Sequence, residues 1–324
     1  MANLGKLEKV DLREVWADES GSFTPWLAEE KNIKELGDAI GIELEVESQE
    51  KEVGQFSADI LCKDTTNDQW VLIENQLEKT DHKHLGQLMT YAAGLEAKTI
   101  IWIAETFIDE HRAALDWLNE ITEEGINFFG LEIELWRIGD SPPAPKFNIV
   151  CKPNEWSRTV RTSATSGELT DTKKLQLEYW TTFRNFMEEN KSLVRCQKPS
   201  GQNWTCFAIG RSHFHLTATV NTRDKRVAAY LCISGPDKKA HFHFLENECK
   251  QKIEAAVGFK LDWRELPEGK ESHLEVFLDA DPANRTDWSR QHQWLKDTLE
   301  KLHKVISPII KRLDAADYHE TKQL

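Results

Sequence analysis

Read from its amino end, the chain opens on a helical spacing. Trp26, Leu27, Ile33, Leu36 and Ile40 recur at that spacing after Thr24-Pro25, which predicts a helix capped by Thr24, with Pro25 in its first turn and Gly41 as its stop. Residues Ile42 to Glu47 then alternate apolar and acidic side chains with period two, the mark of a half-buried strand. Two more strands are predicted over Phe56–Cys62 and Trp70–Gln76, parted by the turn-rich Lys63 to Asp68. Asp81–Glu96 reads as a helix with Leu85, Leu88, Met89 and Ala92 on one face. Thr99–Ala104 is a continuous apolar run, expected of a central strand covered on both sides. A helix over Asp109–Glu123 and a strand over Asn127–Ile138 follow, and Phe147–Cys151 adds an edge strand. The order α-β-β-β-α-β-α-β implies an α/β sheet with helices packed on it.

The pattern changes after Cys151. Ser157 to Thr172 is rich in Ser and Thr and poor in periodic apolar residues, so a linker is expected at 157–172 between domains spanning 1–156 and 173–324. The second domain opens on a helix around Leu175, Tyr179, Phe183 and Phe186. Strands are predicted over Trp204–Ile209, Phe214–Val220, Val227–Ile233 and Leu274–Leu278. A last helix carries Trp294, Leu295, Leu299, Leu302, Val305, Ile306 and Ile309 on one stripe, read as core, with a homodimer seam as the lesser reading. Helices bracketing antiparallel strands make this an α+β domain.

Composition narrows the class. Across 324 residues, 40% hydrophobic and 30% charged side chains fit a folded globular chain. No apolar run approaches the roughly 20 residues a membrane span needs, and no signal segment is read at the start, so a cytoplasmic protein without membrane partners is expected. Six cysteines without any Cys-x-x-Cys pair are read as reduced, mostly buried thiols. The net charge of −14 hides an asymmetry: 13 Lys and Arg face 31 Asp and Glu up to Val150, whereas 28 face 24 beyond it. An acidic front half repels nucleic acid unless metal ions or another surface compensate, and the milder back half is a candidate for that surface.

The chemistry concentrates in three stretches: Phe56 to Leu61, Val71 to Gln76, and Leu85 to Tyr91. Glu74 and Gln76 are two apart on one predicted strand and share a face. A hairpin brings Asp59 beside Glu74, and two adjacent carboxylates raise each other's pKa unless a cation lies between them. Oxygen ligands of this kind suit Mg²⁺ or Mn²⁺ better than zinc. These residues resemble the PD-(D/E)xK nuclease superfamily, in its branch with a Gln-x-x-x-Tyr motif on the helix after the active-site strands. The resemblance covers roughly Phe23 to Ile138, through Asp59, Glu74-x-Gln76 and Gln87-x-x-x-Tyr91. It implies a restriction-endonuclease-like α/β domain, a mixed sheet flanked by helices.

It further implies metal ligation by Asp59 and Glu74, a water-orienting Gln76, and support or substrate contact by Gln87 and Tyr91. A Glu of the first helix completes the site in the family, and Glu29 is chosen over Glu30. The chain departs from the pattern twice. Ala58 stands where Pro is usual, and Gln76 where most members carry Lys; an amide can position water but brings no positive charge. The second half resembles a family described as domain of unknown function 4268, through Glu178 to Phe183, Lys198-Pro199, Trp263 and the segment from Trp288 to Ile310.

The expectation is a metal-dependent nuclease acting on nucleic acid, DNA first, in foreign-DNA defence or repair. The alternative is a catalytically inactive nuclease-fold module that binds nucleic acid or protein. His213-Phe214-His215 and His241-Phe242-His243 each place two imidazoles on one face if they are strands, a geometry a metal could use. The preferred reading of that alternation buries Phe214 and Phe242 and leaves the histidines in solvent. Lys225-Arg226 and Lys238-Lys239 are read as solvated hairpin tips, with phosphate contact as the minority role.

Overall fold

The computed structural model describes residues 5–53, 56–123, 125–153, 170–266 and 269–314. The chain divides into two compact units, Met1–Asp64 with Gln69–Gly167 and Thr65–Asp68 with Glu168–Leu324. Most of the expected linker lies outside the described residues. Its last two, Asp171 and Thr172, already open a helix.

The first unit holds a seven-stranded mixed sheet. Its strands are β1 (Leu7–Val10), β2 (Leu44–Val53), β3 (Phe56–Asp64), β4 (Trp70–Asn75), β5 (Thr99–Ala104), β6 (Asn127–Ile138) and β7 (Ala144–Cys151). The order is β1-β6-β5-β4-β3-β2, with β7 on β6. β2, β3 and β4 run antiparallel, while β4, β5 and β6 run parallel and bury the centre. Helices α1 (Thr24–Leu27), α2 (Glu30–Ile40), α3 (His82–Gly94) and α4 (Asp109–Ile121) complete the unit.

Alternation on β5 explains the layers. Ile101 and Ile103 join Ile60, Ile73, Leu27, Ile33 and Leu36 in one core, whereas Ile100 and Trp102 join Leu72, Leu88, Tyr91 and Leu115 in another. Helices therefore cover both faces, and every residue of β5 is buried, as its unbroken apolar run requires. Gly41 ends α2 in the left-handed conformation at φ 79°, where a side chain would be strained.

Thr24 does not cap the first helix. Helical winding begins earlier, in a π-turn over Glu19–Phe23 whose Asp18 carboxylate accepts the Gly21 N–H. The Thr24 hydroxyl instead bonds the Asn75 amide. Strand β1, with two apolar residues in four, is too short to show a period and was not expected.

The second unit is a five-stranded antiparallel sheet in the order β11-β12-β10-β9-β8. Its strands are β8 (Trp204–Ala208), β9 (Phe214–Asn221), β10 (Arg226–Ile233), β11 (Asp262–Arg264) and β12 (Ser272–Asp279). Helices α5 (Asp171–Glu189), α6 (Lys238–Phe244), α7 (Lys250–Val257) and α8 (Trp288–Ile310) accompany it. The α8 stripe is core: Leu295, Leu299, Leu302 and Ile306 pack with Tyr179, Phe183, Phe214 and Leu231, all fully or almost fully buried.

Three sequence readings change here. His241-Phe242-His243 lies in α6 rather than in a strand, so its histidines do not share a face. Lys238 opens that helix and donates to the carbonyl oxygens of Leu266 and Gly269. Phe214 is buried as expected, but His215 beside it is half-buried rather than in solvent.

Candidate metal centre

Antiparallel pairing of β3 with β4 sets Ile60 against Ile73. One step further on, the Asp59 N–H donates to Glu74 Oε1 at 3.3 Å and the Asn75 N–H to Asp59 Oδ2 at 2.8 Å. Each carboxylate thus reaches the backbone of the other's strand, at the carboxyl end of β4, where parallel neighbours in α/β sheets leave room for ligands. Glu74 is 2% exposed. Among the described residues no lysine or arginine forms an ion pair with either acid.

Electrostatics follow from that burial. Loss of water raises the Glu74 pKa strongly, and the negative charges of Asp59 and Glu50 raise it further. The Asp59 pKa is raised by burial first. The Asn75 N–H and the charge of His84 oppose this rise, while Glu50 and Glu19 add to it. Without a cation, burial and mutual repulsion favour the pair with a proton bound over two free charges. Two hard carboxylates short of positive charge form a donor set that fits a Mg²⁺ or Mn²⁺ ion.

The remaining expected residues divide. Tyr91 and Gln87 come together on α3, where Gln87 Nε2 donates to the Tyr91 hydroxyl at 3.0 Å. Burial raises the Tyr91 pKa, and the charges of Glu74 and Asp59 raise it further, so its hydroxyl lies in the field of both acids. The Gln87 carbonyl oxygen is buried without a partner among the described residues, a cost that a ligand or water would relieve.

Gln76 is buried, but its amide is already engaged. Its oxygen accepts from Trp102 Nε1 at 3.0 Å, and its nitrogen donates to the Lys79 carbonyl at 2.8 Å. Those bonds tie the end of β4 to β5 and to the turn before α3.

Glu29 does not join the group. It stands exposed at the start of α2, paired with Lys31 at 3.1 Å. The acid that does approach comes from the π-turn: Glu19 Oε1 accepts the Leu77 N–H at 2.9 Å and meets Arg13 at 3.1 Å. Starting the helix at Thr24 hid it, although Asp18 followed by Gly21 is a capping signal that could have moved the start back. His84 was also missed. Asp81 caps α3 through the His84 N–H and holds the His84 ring at 2.9 Å, Nδ1 to Oδ2.

Comparison with known proteins adds little to this site. A family model described as domain of unknown function (DUF4268) matches residues 175–310, from within α5 to the end of α8, in agreement with the resemblance read from the second half. No curated protein matches the chain. A solved structure titled "crystal structure of a repair endonuclease from Pyrococcus abyssi" aligns at 20% identity and a TM-score of 0.25, over 32% of this chain and 46% of its own. The chain therefore spans less than half of that structure.

Proposed function

We propose that the first unit is a metal-dependent nuclease that hydrolyses phosphodiester bonds in nucleic acid, DNA being the first substrate to test. The observation that carries this reading is the Asp59–Glu74 pair: two carboxylates bonded across neighbouring strands, one of them fully buried, without a basic ion-pair partner among the described residues. Such a pair favours a proton or a cation over two free charges. A divalent cation held there would supply Lewis acidity toward a phosphate ester.

The chain's own groups would do the rest. Asp59 and Glu74 would hold the ion, and Glu19 would add negative charge from the π-turn. Tyr91, steadied by Gln87, would contact the substrate or brace the acids. His84, oriented by Asp81, would stand where the family's lysine is missing and would help position the reacting water near Asp59. Gln76 would act by fixing the end of β4. The acidic balance of the first half disfavours phosphate contact away from the ion, so the second unit would select or clamp the strand.

The engaged amide of Gln76 favours a second reading, a nuclease-fold module that binds without cutting. Incubating the purified chain with plasmid and single-stranded DNA in Mg²⁺ or Mn²⁺ separates the two, with Asp59→Ala and Glu74→Ala as partners. Cutting that both substitutions abolish supports the nuclease. Binding without cutting supports the module, and cutting that survives both substitutions removes the site from consideration.

A further inference from the structure

One face of the second unit's sheet carries a row of polar side chains. On β9, β10 and β12 the buried residues Phe214, Leu216, Leu231, Ile233 and Leu274 join the helical core. Their strand neighbours His215, Cys232 and His273 therefore project from the opposite face. The register sets Cys232 directly against His215 on one side and His273 on the other. Glu271, immediately before β12, joins the same row. A ring nitrogen of His215, the Cys232 sulfur and a carboxylate oxygen of Glu271 all lie within 4.8 Å of one another.

Tetrahedral ligands at zinc distances stand about 3.3–3.8 Å apart, so small side-chain rotations close this triad on one ion. His215 Nδ1 is buried without a hydrogen-bond partner among the described residues, which leaves a polar atom in want of one. A supporting layer is in place as well. His273 Nε2 lies 3.3 Å from Glu271 Oε2, and its ring stacks on Tyr230 with centroids 4.4 Å apart. A partner of that kind fixes a carboxylate ligand's orientation.

We propose that His215, Cys232 and Glu271 form a zinc site with three protein ligands and an open fourth position. Sulfur and imidazole donors select Zn²⁺ over the Mg²⁺ suited to two carboxylates. This site lies wholly in the second unit and does not depend on whether the first unit cuts nucleic acid.

Co²⁺ is the probe, titrated into the full chain after EDTA treatment and dialysis. One equivalent should produce a thiolate-to-cobalt charge-transfer absorption that Zn²⁺ then displaces. Cys232→Ser should abolish that absorption. Cys206→Ser, on a cysteine 3.6 Å from Thr217 Oγ1, and Glu74→Ala in the first unit should both leave it intact. Glu271→Gln alters a more exposed position and keeps the thiol, so it tests the site even if Cys232→Ser fails to fold; Co²⁺ affinity should fall by about 10-fold or more. The proposal is overturned by an absent charge-transfer band in the unsubstituted chain, by a band that survives Cys232→Ser, or by unchanged affinity in folded Glu271→Gln.

Discussion

Replacing Glu74 with Gln should make the metal-free protein more stable at alkaline pH, although it removes a residue of the proposed site. The side chain keeps its shape and loses its charge. In the fold, burial and Asp59 raise the Glu74 pKa, so the carboxyl keeps its proton; in the unfolded chain it ionises at its ordinary 4.5. A folded pKa raised above the unfolded value contributes stability at low pH, and that contribution is lost as pH rises from 4.5 toward the folded value. Retaining the proton costs about 1.4 kcal/mol for each pH unit above the unfolded pKa, or roughly 4 kcal/mol at pH 7.5 as an upper bound. Glutamine carries no such cost. Urea unfolding in EDTA at pH 4, 6.5 and 8 should show Glu74→Gln level with the parent at pH 4 and ahead by about 1–5 kcal/mol at pH 8. With Mn²⁺ at 100 times its dissociation constant the parent alone gains about 2.7 kcal/mol, which narrows the gap by that amount and reverses the order wherever the metal-free advantage is smaller. If Glu74→Gln is the less stable protein at pH 8 in EDTA, Glu74 is ionised and paired in the fold, and the reasoning fails.

Other substitutions test neighbouring steps. Gln76→Ala leaves the Trp102 N–H and the Lys79 carbonyl without their partner and should cost about 1–3 kcal/mol in urea unfolding while the Mn²⁺ shift persists; loss of that shift at unchanged stability would mark the amide as part of the ion's surroundings instead. His84→Gln removes a charge that lowers the Asp59 pKa, so the pH at which Mn²⁺ begins to stabilise the protein should rise. An unmoved onset would place His84 outside the site. Leu302→Ala opens a cavity in the second unit's core and should cost about 2–5 kcal/mol. Size-exclusion chromatography should show its oligomeric state unchanged, since the α8 stripe is core rather than a seam.

Where the signal was local, it was legible. β5 and β6 begin and end as predicted: β5, buried on both faces, tolerates no polar interruption, whereas β6 alternates buried apolar residues with Glu132 and Glu134. Gly41 and Asp81 mark helix ends through backbone needs contained in a few residues. The Asp59 and Glu74 positions could be singled out because a hairpin and a period of two together bring them opposite one another. Glu19 could not, since its place at Leu77 depends on a π-turn and on contacts far along the chain. Glu29 had the better local claim and points to solvent.

The same limit hid the second unit's triad. His215, Cys232 and Glu271 have no short spacing, and only the register of three strands puts them in one row. His241-Phe242-His243 shows the converse, an alternation that looks like a strand and winds into a helix. Periodicity and capping are short-range properties that a sequence carries by itself, so it determined most elements of the first unit and their order, but not β1, α6, α7 or β11. Which charged groups meet, and which amide is already engaged, depends on chain closure between distant residues, and that only the tertiary structure decided.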